Sequence, residues 1–145
     1  MPNPQLIESV VGMRPFIPAK DFELSKRFYR DVGFDINYDS SDVAELSIGK
    51  FSFLLQNYYD KSWAEYCAMH LYVTDLKGWW KHISTLKLVD KYGVHPPKEP
   101  KVQAWGMEVG HFYDPSSVLW HVAAADDECQ ERMSAASPLQ SKTQI

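Results

Sequence analysis

Five histidines, two cysteines and nineteen carboxylates are the groups in this chain with chemistry to offer. None of them falls into a local catalytic motif. His82, His95 and His111 are spaced without the logic of a metal-binding run, in which ligands recur on one helix face or across a short turn. Cys67 sits in a strand-like stretch and Cys129 in a polar tail, so two free thiols are expected rather than a bridge. No glycine-rich phosphate loop, no Gly-x-Ser-x-Gly elbow and no Cys-x-x-Cys is present. Seven glycines are too few and too scattered to cradle a nucleotide. No catalytic residue is identified, and any site must be assembled by the fold from residues far apart in sequence.

Composition narrows the partners. A net charge of −4 and a pI of ≈ 5.7 leave no basic stripe to meet phosphates, which excludes a nucleic-acid binder. No apolar run approaches the ~20 residues that cross a bilayer, so no membrane partner is expected. Met1-Pro2-Asn3-Pro4-Gln5 lacks the basic and apolar regions of a signal peptide, and the expectation is a cytoplasmic protein. The aromatic share, 14% with five Trp, is high for a small domain. Such a surplus lines a ligand pocket or a subunit interface, or simply fills a Trp-rich core.

The elements that must position a site follow from periodicity. Residues 1–6 read as a loose arm and Ser9 to Ile17 as a first strand ending at Pro18. Asp21 caps a helix with Leu24, Phe28, Tyr29 and Val32 at helical spacing, and Gly33 ends it. Phe34 to Tyr38 reads as a strand. Val43 to Ile48, Gly49-Lys50 and Phe51 to Gln56 read as a hairpin. Asn57 to Tyr66 is a connection, after which the order repeats. Cys67 to Val73 is a strand, and Thr74 or Asp75 caps a helix carrying Leu76, Trp79, Trp80, Ile83 and Leu86. Trp79 and Trp80 are adjacent, so one is expected in the core and the other at an interface or the surface. His95 to Pro100 is an extended loop. Gln103 to Val109 and Val118 to Ala123 form a closing hairpin, with Asp114-Pro115 initiating the turn before its last strand. Two β-α-β-β-β units, residues 7–58 and 67–125, suggest an internal duplication. From residue 126 to 145 the chain is polar and small-residue rich, and a mobile tail is expected.

Several of these segments resemble the vicinal oxygen chelate superfamily, the group of glyoxalase I, bleomycin-resistance proteins and extradiol dioxygenases. They are Pro18-Ala19-Lys20-Asp21 leading into Ser25-Lys26-Arg27-Phe28-Tyr29-Arg30-Asp31-Val32-Gly33-Phe34, then Val73-Thr74-Asp75-Leu76, then Trp105-Gly106, Asp114-Pro115 and Leu119-Trp120. The resemblance covers residues 7–125. It implies an α+β fold in which two β-α-β-β-β modules form a curved mixed sheet around a pocket, with helices on the convex side. Metal-dependent members carry a His or Glu on the first and last strand of each module. Here those positions fall on Arg14, Gln56, Ala68 and His121. Arginine cannot ligate a divalent ion, alanine has no donor atom, glutamine is a weak carbonyl ligand, and one histidine does not hold a metal. No metal and no cofactor is therefore expected.

Strand parity extends the reading. If those four positions face inward, so do Phe16, Leu54, His70, Tyr72 and Leu119. Met13, Phe53, Leu55, Met69, Leu71, Val118, Trp120 and Val122 then face the helices. The candidate ligand-binding residues are Arg14, Phe16, Leu54, Gln56, His70, Trp105 and His121. Arg14 meets either an anionic group on a ligand or an internal carboxylate such as Glu108 or Glu45. Trp105 either adds to the pocket from the penultimate strand or packs in a core or dimer interface. His121 is read as a lining residue ahead of a general base. By the resemblance, the chain is expected to be a metal-independent homodimer of the bleomycin-resistance type that sequesters a small organic molecule. The rival is a glyoxalase-type lyase or isomerase, or a dioxygenase, using a displaced metal set of His70, Glu108 and His121. A third reading is a scaffold whose inward face is filled by its own side chains.

Overall fold

The computed structural model describes residues 3–126. Its elements are α1 (Pro4–Glu8), β1 (Phe16–Pro18), α2 (Phe22–Val32), β2 (Asp35–Asp39), β3 (Val43–Ile48), β4 (Phe51–Gln56), α3 (Lys61–Tyr66), β5 (Ala68–Val73), α4 (Leu76–Thr85), α5 (Leu88–Tyr92), β6 (Lys98–Val102), β7 (Glu108–Tyr113) and β8 (Leu119–Ala124). Both long helices start where an aspartate can accept an orphan amide. Asp21 accepts from Leu24 N at 3.1 Å, and Asp75 accepts from Gly78 N at 2.9 Å. Gly33, at φ 133°, ends α2 in a conformation that a side chain would resist.

The strands form two four-stranded mixed sheets, ordered β1-β4-β3-β2 and β5-β8-β7-β6, rather than one continuous sheet. Each has the same plan. Its first strand runs parallel to its last, and the other pairings are antiparallel. The expected β-α-β-β-β order is thus present in both sheets.

The helix-facing sides of both sheets share one aromatic core. Trp120 of β8 packs against Phe53 of β4, Phe34 and Tyr29 at ring-centroid distances of 5.6, 5.4 and 5.7 Å, and stacks on Phe112 of β7 at 5.7 Å. Polar links reinforce the join between the halves. Asp114 is 1% exposed and accepts from Ser116 N at 2.8 Å, Val118 N at 2.9 Å and the Tyr29 hydroxyl at 2.7 Å. The Tyr29 oxygen in turn accepts from Trp120 Nε1 at 2.9 Å. The Asp-Pro turn therefore does more than reverse the chain, because its carboxylate ties the last strand to α2.

Several local expectations are revised. Residues 9–15 are not a strand. Only Phe16–Pro18 pair, with β4, where the Pro15 carbonyl also accepts from Leu54 N at 2.9 Å, and residues 9–14 find no ladder partner among the described residues. Met13, expected to face the helices, is 93% exposed. Pro100 lies within β6, a sheet-edge strand where a missing amide is tolerated. The Lys101–Tyr113 region, expected from its composition to hold one or two strands, carries the end of β6 and all of β7, and β7 runs to Tyr113 where the first strand of the closing hairpin was expected to end at Val109. Trp79 and Trp80 are both half-buried against the core, so neither is a surface residue. The tail expected from residue 126 lies, beyond Asp126, outside the described residues, as does Cys129.

Trp80 owes its seat to Gly110. A Cβ at Gly110 would stand 2.6 Å from Trp80 Cζ3, and the indole is a rigid neighbour. Gly110→Ala is expected to cost about 1–3 kcal/mol through overpacking. Urea unfolding checks this, and an unchanged midpoint would mean that Trp80 can move off β7 at no cost.

Candidate functional site

The face of each sheet turned away from the helices is open. Alternation along the strands segregates it as expected. Ile17, Phe53, Leu55, Val118, Trp120 and Val122 are buried on the helix side. Phe16, Ala68, His70 and Tyr72 are exposed, while Leu54, Gln56, Leu119 and His121 are half-buried.

On the first sheet, Phe16 of β1 lies beside Leu54 of β4, which lies beside Glu45 of β3. Arg14, just before β1, forms an ion pair with Glu45. Asn37 at the β2 irregularity donates to Glu45 Oε1 at 3.3 Å and to Ser47 Oγ at 2.8 Å. Of the two carboxylates weighed for Arg14, the chain uses Glu45. The Arg14 side chain is 46% exposed, so it is not the buried cation that would demand an anionic ligand.

On the second sheet, register places four residues in one row, Lys98 of β6, His111 of β7, His121 of β8 and His70 of β5. His70 Nδ1 stands 3.2 Å from His121 Nδ1. The His111 and His121 rings are 4.7 Å apart at 77°, and His70 meets Tyr72 edge-on at 4.5 Å. Burial pushes His70 down from its ordinary pKa, and the neighbouring His121 adds to that. His111 is lowered by burial, then by His121, Lys98 and Lys101. His121 is lowered by burial. The row is therefore a set of neutral imidazoles at pH 7, offering lone pairs, N–H donors and aromatic faces.

The structure brings His70 and His121 together, and Phe16, Leu54 and Gln56 onto one sheet. It does not bring Trp105 to either group. Trp105 is 63% exposed in the Gln103–Gly106 turn between β6 and β7, where Gly106 N donates to Gln103 O at 2.9 Å. It lies beyond the strand end at Glu108, about 10 Å along β7 from His111 at ~3.3 Å per residue. Glu108 itself is an odd number of residues from His111, so it faces the opposite side from His121. The displaced set of His70, Glu108 and His121 is not assembled. Among the described residues, no group of three or more His, Cys, Asp or Glu side chains is placed to hold a metal ion.

His111, Tyr113 and Glu45 belong to the open faces and were not among the candidates. Parity finds His111 and Tyr113 once the strand is placed over Glu108–Tyr113. A cleft of about 720 Å³ lies at the start of α2, lined by residues including Lys20, Phe22 and Pro115. Another, of about 300 Å³, lies beneath α4 and α5. Neither of these two clefts is lined by the open sheet faces.

No protein-family model matches the chain, and no curated protein matches it. Solved structures do. A bleomycin-binding protein complexed with bleomycin shares 20% identity at a TM-score of 0.70, covering 81% of this chain and 100% of that one. An antibiotic-binding protein from Streptomyces sp. CB03234 shares 18% at a TM-score of 0.63, covering 80% and 97%. A lactoylglutathione lyase from Agrobacterium tumefaciens shares 16% at a TM-score of 0.59, covering 79% and 94%. At these identities the likeness is one of fold. It is the fold that the vicinal oxygen chelate resemblance implies.

Proposed function

We propose that this chain is a cytoplasmic, metal-independent binder that sequesters a small, partly aromatic organic molecule between the open sheet faces of a homodimer. The observation that carries this reading is the open faces themselves. They bear Phe16, Leu54, His70, Tyr72, Leu119 and His121, all exposed or half-buried, and among the described residues no segment covers them, which disfavours a scaffold with a decayed pocket. Ligand sites pair such apolar and aromatic area with a few polar groups. Structural neighbours named for bleomycin and antibiotic binding support the class of ligand. Arg14 and Ala68 at two of the four positions that carry metal ligands in the resembling family support metal independence. The free thiol of Cys67 is compatible with a reducing compartment.

A second copy is the cover we infer for these faces. Besides Phe16, the N-terminal arm exposes Leu6, Ile7, Val10, Val11 and Met13, each between 60% and 102%. A run of that kind on a monomer marks an interaction surface. The units 7–58 and 67–125 would be the duplicated modules that each copy contributes.

A thermal-shift screen of aromatic small molecules tests the reading. Compounds that raise the melting temperature are expected, and Leu54→Arg, which puts a charge in the middle of the first open face, is expected to abolish their shifts. Absence of any stabilising compound, or undiminished shifts in Leu54→Arg, would overturn it.

A further inference from the structure

The two open faces differ in charge. On the first, Arg14 is neutralised by Glu45. On the second, register sets Lys98 beside His111, and the irregularity in β6 turns Lys101 to the same side, beside Val109. Both lysines are exposed, and neither is in an ion pair among the described residues. No carboxylate of β5–β8 shares this face among the described residues. Glu99 lines the cleft beneath α4 and α5, and Glu108 has the opposite parity to His111. Lys98 and Lys101 both lower His111, while no carboxylate acts on His70, His111 or His121. In a chain of net charge −4, two uncompensated ammonium groups beside three imidazoles make a locally cationic face.

The hydrogen bond between His70 and His121 fixes what this face does with a proton. Their Nδ1 atoms are 3.2 Å apart, so one ring donates an Nδ1–H and the other accepts at a bare Nδ1. The donor ring therefore has its lone pair on Nε2. A proton added there leaves the hydrogen bond intact and makes it charge-assisted. A second proton would set two Nδ1–H groups against each other, so the pair takes up one and no more. We propose that this face takes the anionic group of an aromatic acid, with Lys98 and Lys101 supplying charge and the His70–His121 pair taking up one proton from solvent as the anion binds. No covalent bond forms, and nothing is oxidised or reduced. Tyr72, Tyr113 and Leu119 give the aromatic part its contact area on the same face. The free rings are neutral at pH 7, so the proton arrives with the anion. The bound state then holds the proton more tightly than the free state, and affinity rises as pH falls from 8 to 6. This names the ligand class for the open face proposed above, and so rests on that reading.

The probes are 2-naphthoate and its uncharged isostere 2-naphthamide. Untagged full-length protein is titrated calorimetrically with each, in two buffers of different ionisation enthalpy so that proton uptake is read directly. Naphthoate is expected to bind about tenfold more tightly than naphthamide or better, with net proton uptake that only the acid shows. Lys98→Gln/Lys101→Gln is expected to erase the preference for the acid, and His70→Gln to abolish the proton uptake. Lys77→Gln, which removes an exposed charge on α4, leaves both in place. Unliganded melting of each variant shows that the fold is intact. Naphthamide binding as tightly as naphthoate, or a preference that survives Lys98→Gln/Lys101→Gln, would overturn the anionic ligand, while the broader reading would stand because an aromatic molecule still binds. Naphthoate binding without proton uptake would overturn the part given to the histidine pair. Binding of neither probe would also overturn the proposal, and the broader reading falls with it only if the aromatic screen yields nothing.

Discussion

Asp114→Ala is expected to destabilise the protein by more than about 3 kcal/mol. The substitution strands the amides of Ser116 and Val118 and the Tyr29 hydroxyl, all of which donate to this buried carboxyl. Each buried polar group left without a partner costs about 1–3 kcal/mol. The Tyr29 hydroxyl also accepts from Trp120, so the damage reaches the aromatic core that both sheets share. Asp114→Asn behaves differently. Its amide oxygen keeps the two backbone donors, and its Nδ2 can donate to the Tyr29 oxygen.

The pH dependence separates the two states of this group. Burial raises the Asp114 carboxyl from 3.8 to about 6, outweighing the three hydrogen bonds that favour its charge. A folded-state pKa above the unfolded value means that the folded state holds the proton more tightly. The contribution is fully present below about 4 and is lost as pH rises through about 6. At 1.36 kcal/mol per pH unit, the loss amounts to about 3 kcal/mol. Asparagine has no such loss. Part of that loss lies below pH 4.5, so the parent is expected to lose ground to Asp114→Asn by about 2 kcal/mol between pH 4.5 and pH 7.5. Urea unfolding at both values checks it. A difference independent of pH would mean that Asp114 stays ionised in the fold across this range.

The second large effect concerns assembly. Val11→Glu/Met13→Glu is expected to convert the proposed dimer to a monomer of 16.7 kDa. The two side chains are 102% and 93% exposed in a single chain, so charging them costs the fold nothing. In a dimer that covers the arm, each carboxylate would be desolvated without a partner. A combined penalty of roughly 3 kcal/mol raises the dissociation constant about 100-fold. Because each open face needs a cover, the same variant is expected to lose ligand binding. Sedimentation velocity reads the mass. An unchanged dimer would place the arm outside the interface.

Much of the fold was legible because its signals are local. Gly49-Lys50 between two alternating runs gave the β3–β4 hairpin with its observed limits. Asp21, and Thr74 or Asp75, announced the two long helices, and Asp21 and Asp75 accept the amides expected of caps. The inward and helix-facing sets separated because the strand period is two residues, whatever the tertiary context. The errors are places where that context decides. Val10, Val11 and Met13 have strand-like composition, but a strand needs a partner and the described residues supply none before Pro15. Placing the penultimate strand over Gln103–Val109 put Trp105 in the sheet and left His111 out, because a Trp-Gly turn and a strand share apolar content. Glu108 was weighed as a metal ligand by its chemistry, and one step of parity removes it from that face. Composition says nothing of whether an open face is enclosed, since enclosure depends on what lies opposite.

The most direct test is native mass spectrometry of the untagged protein with a compound from the thermal-shift screen. The expected species has twice the 16.7 kDa chain mass plus bound compound, and Val11→Glu/Met13→Glu gives single chains without it. A single chain of the parent protein carrying the compound, or a dimer that never carries one, would contradict the proposal that two copies of this chain enclose the ligand.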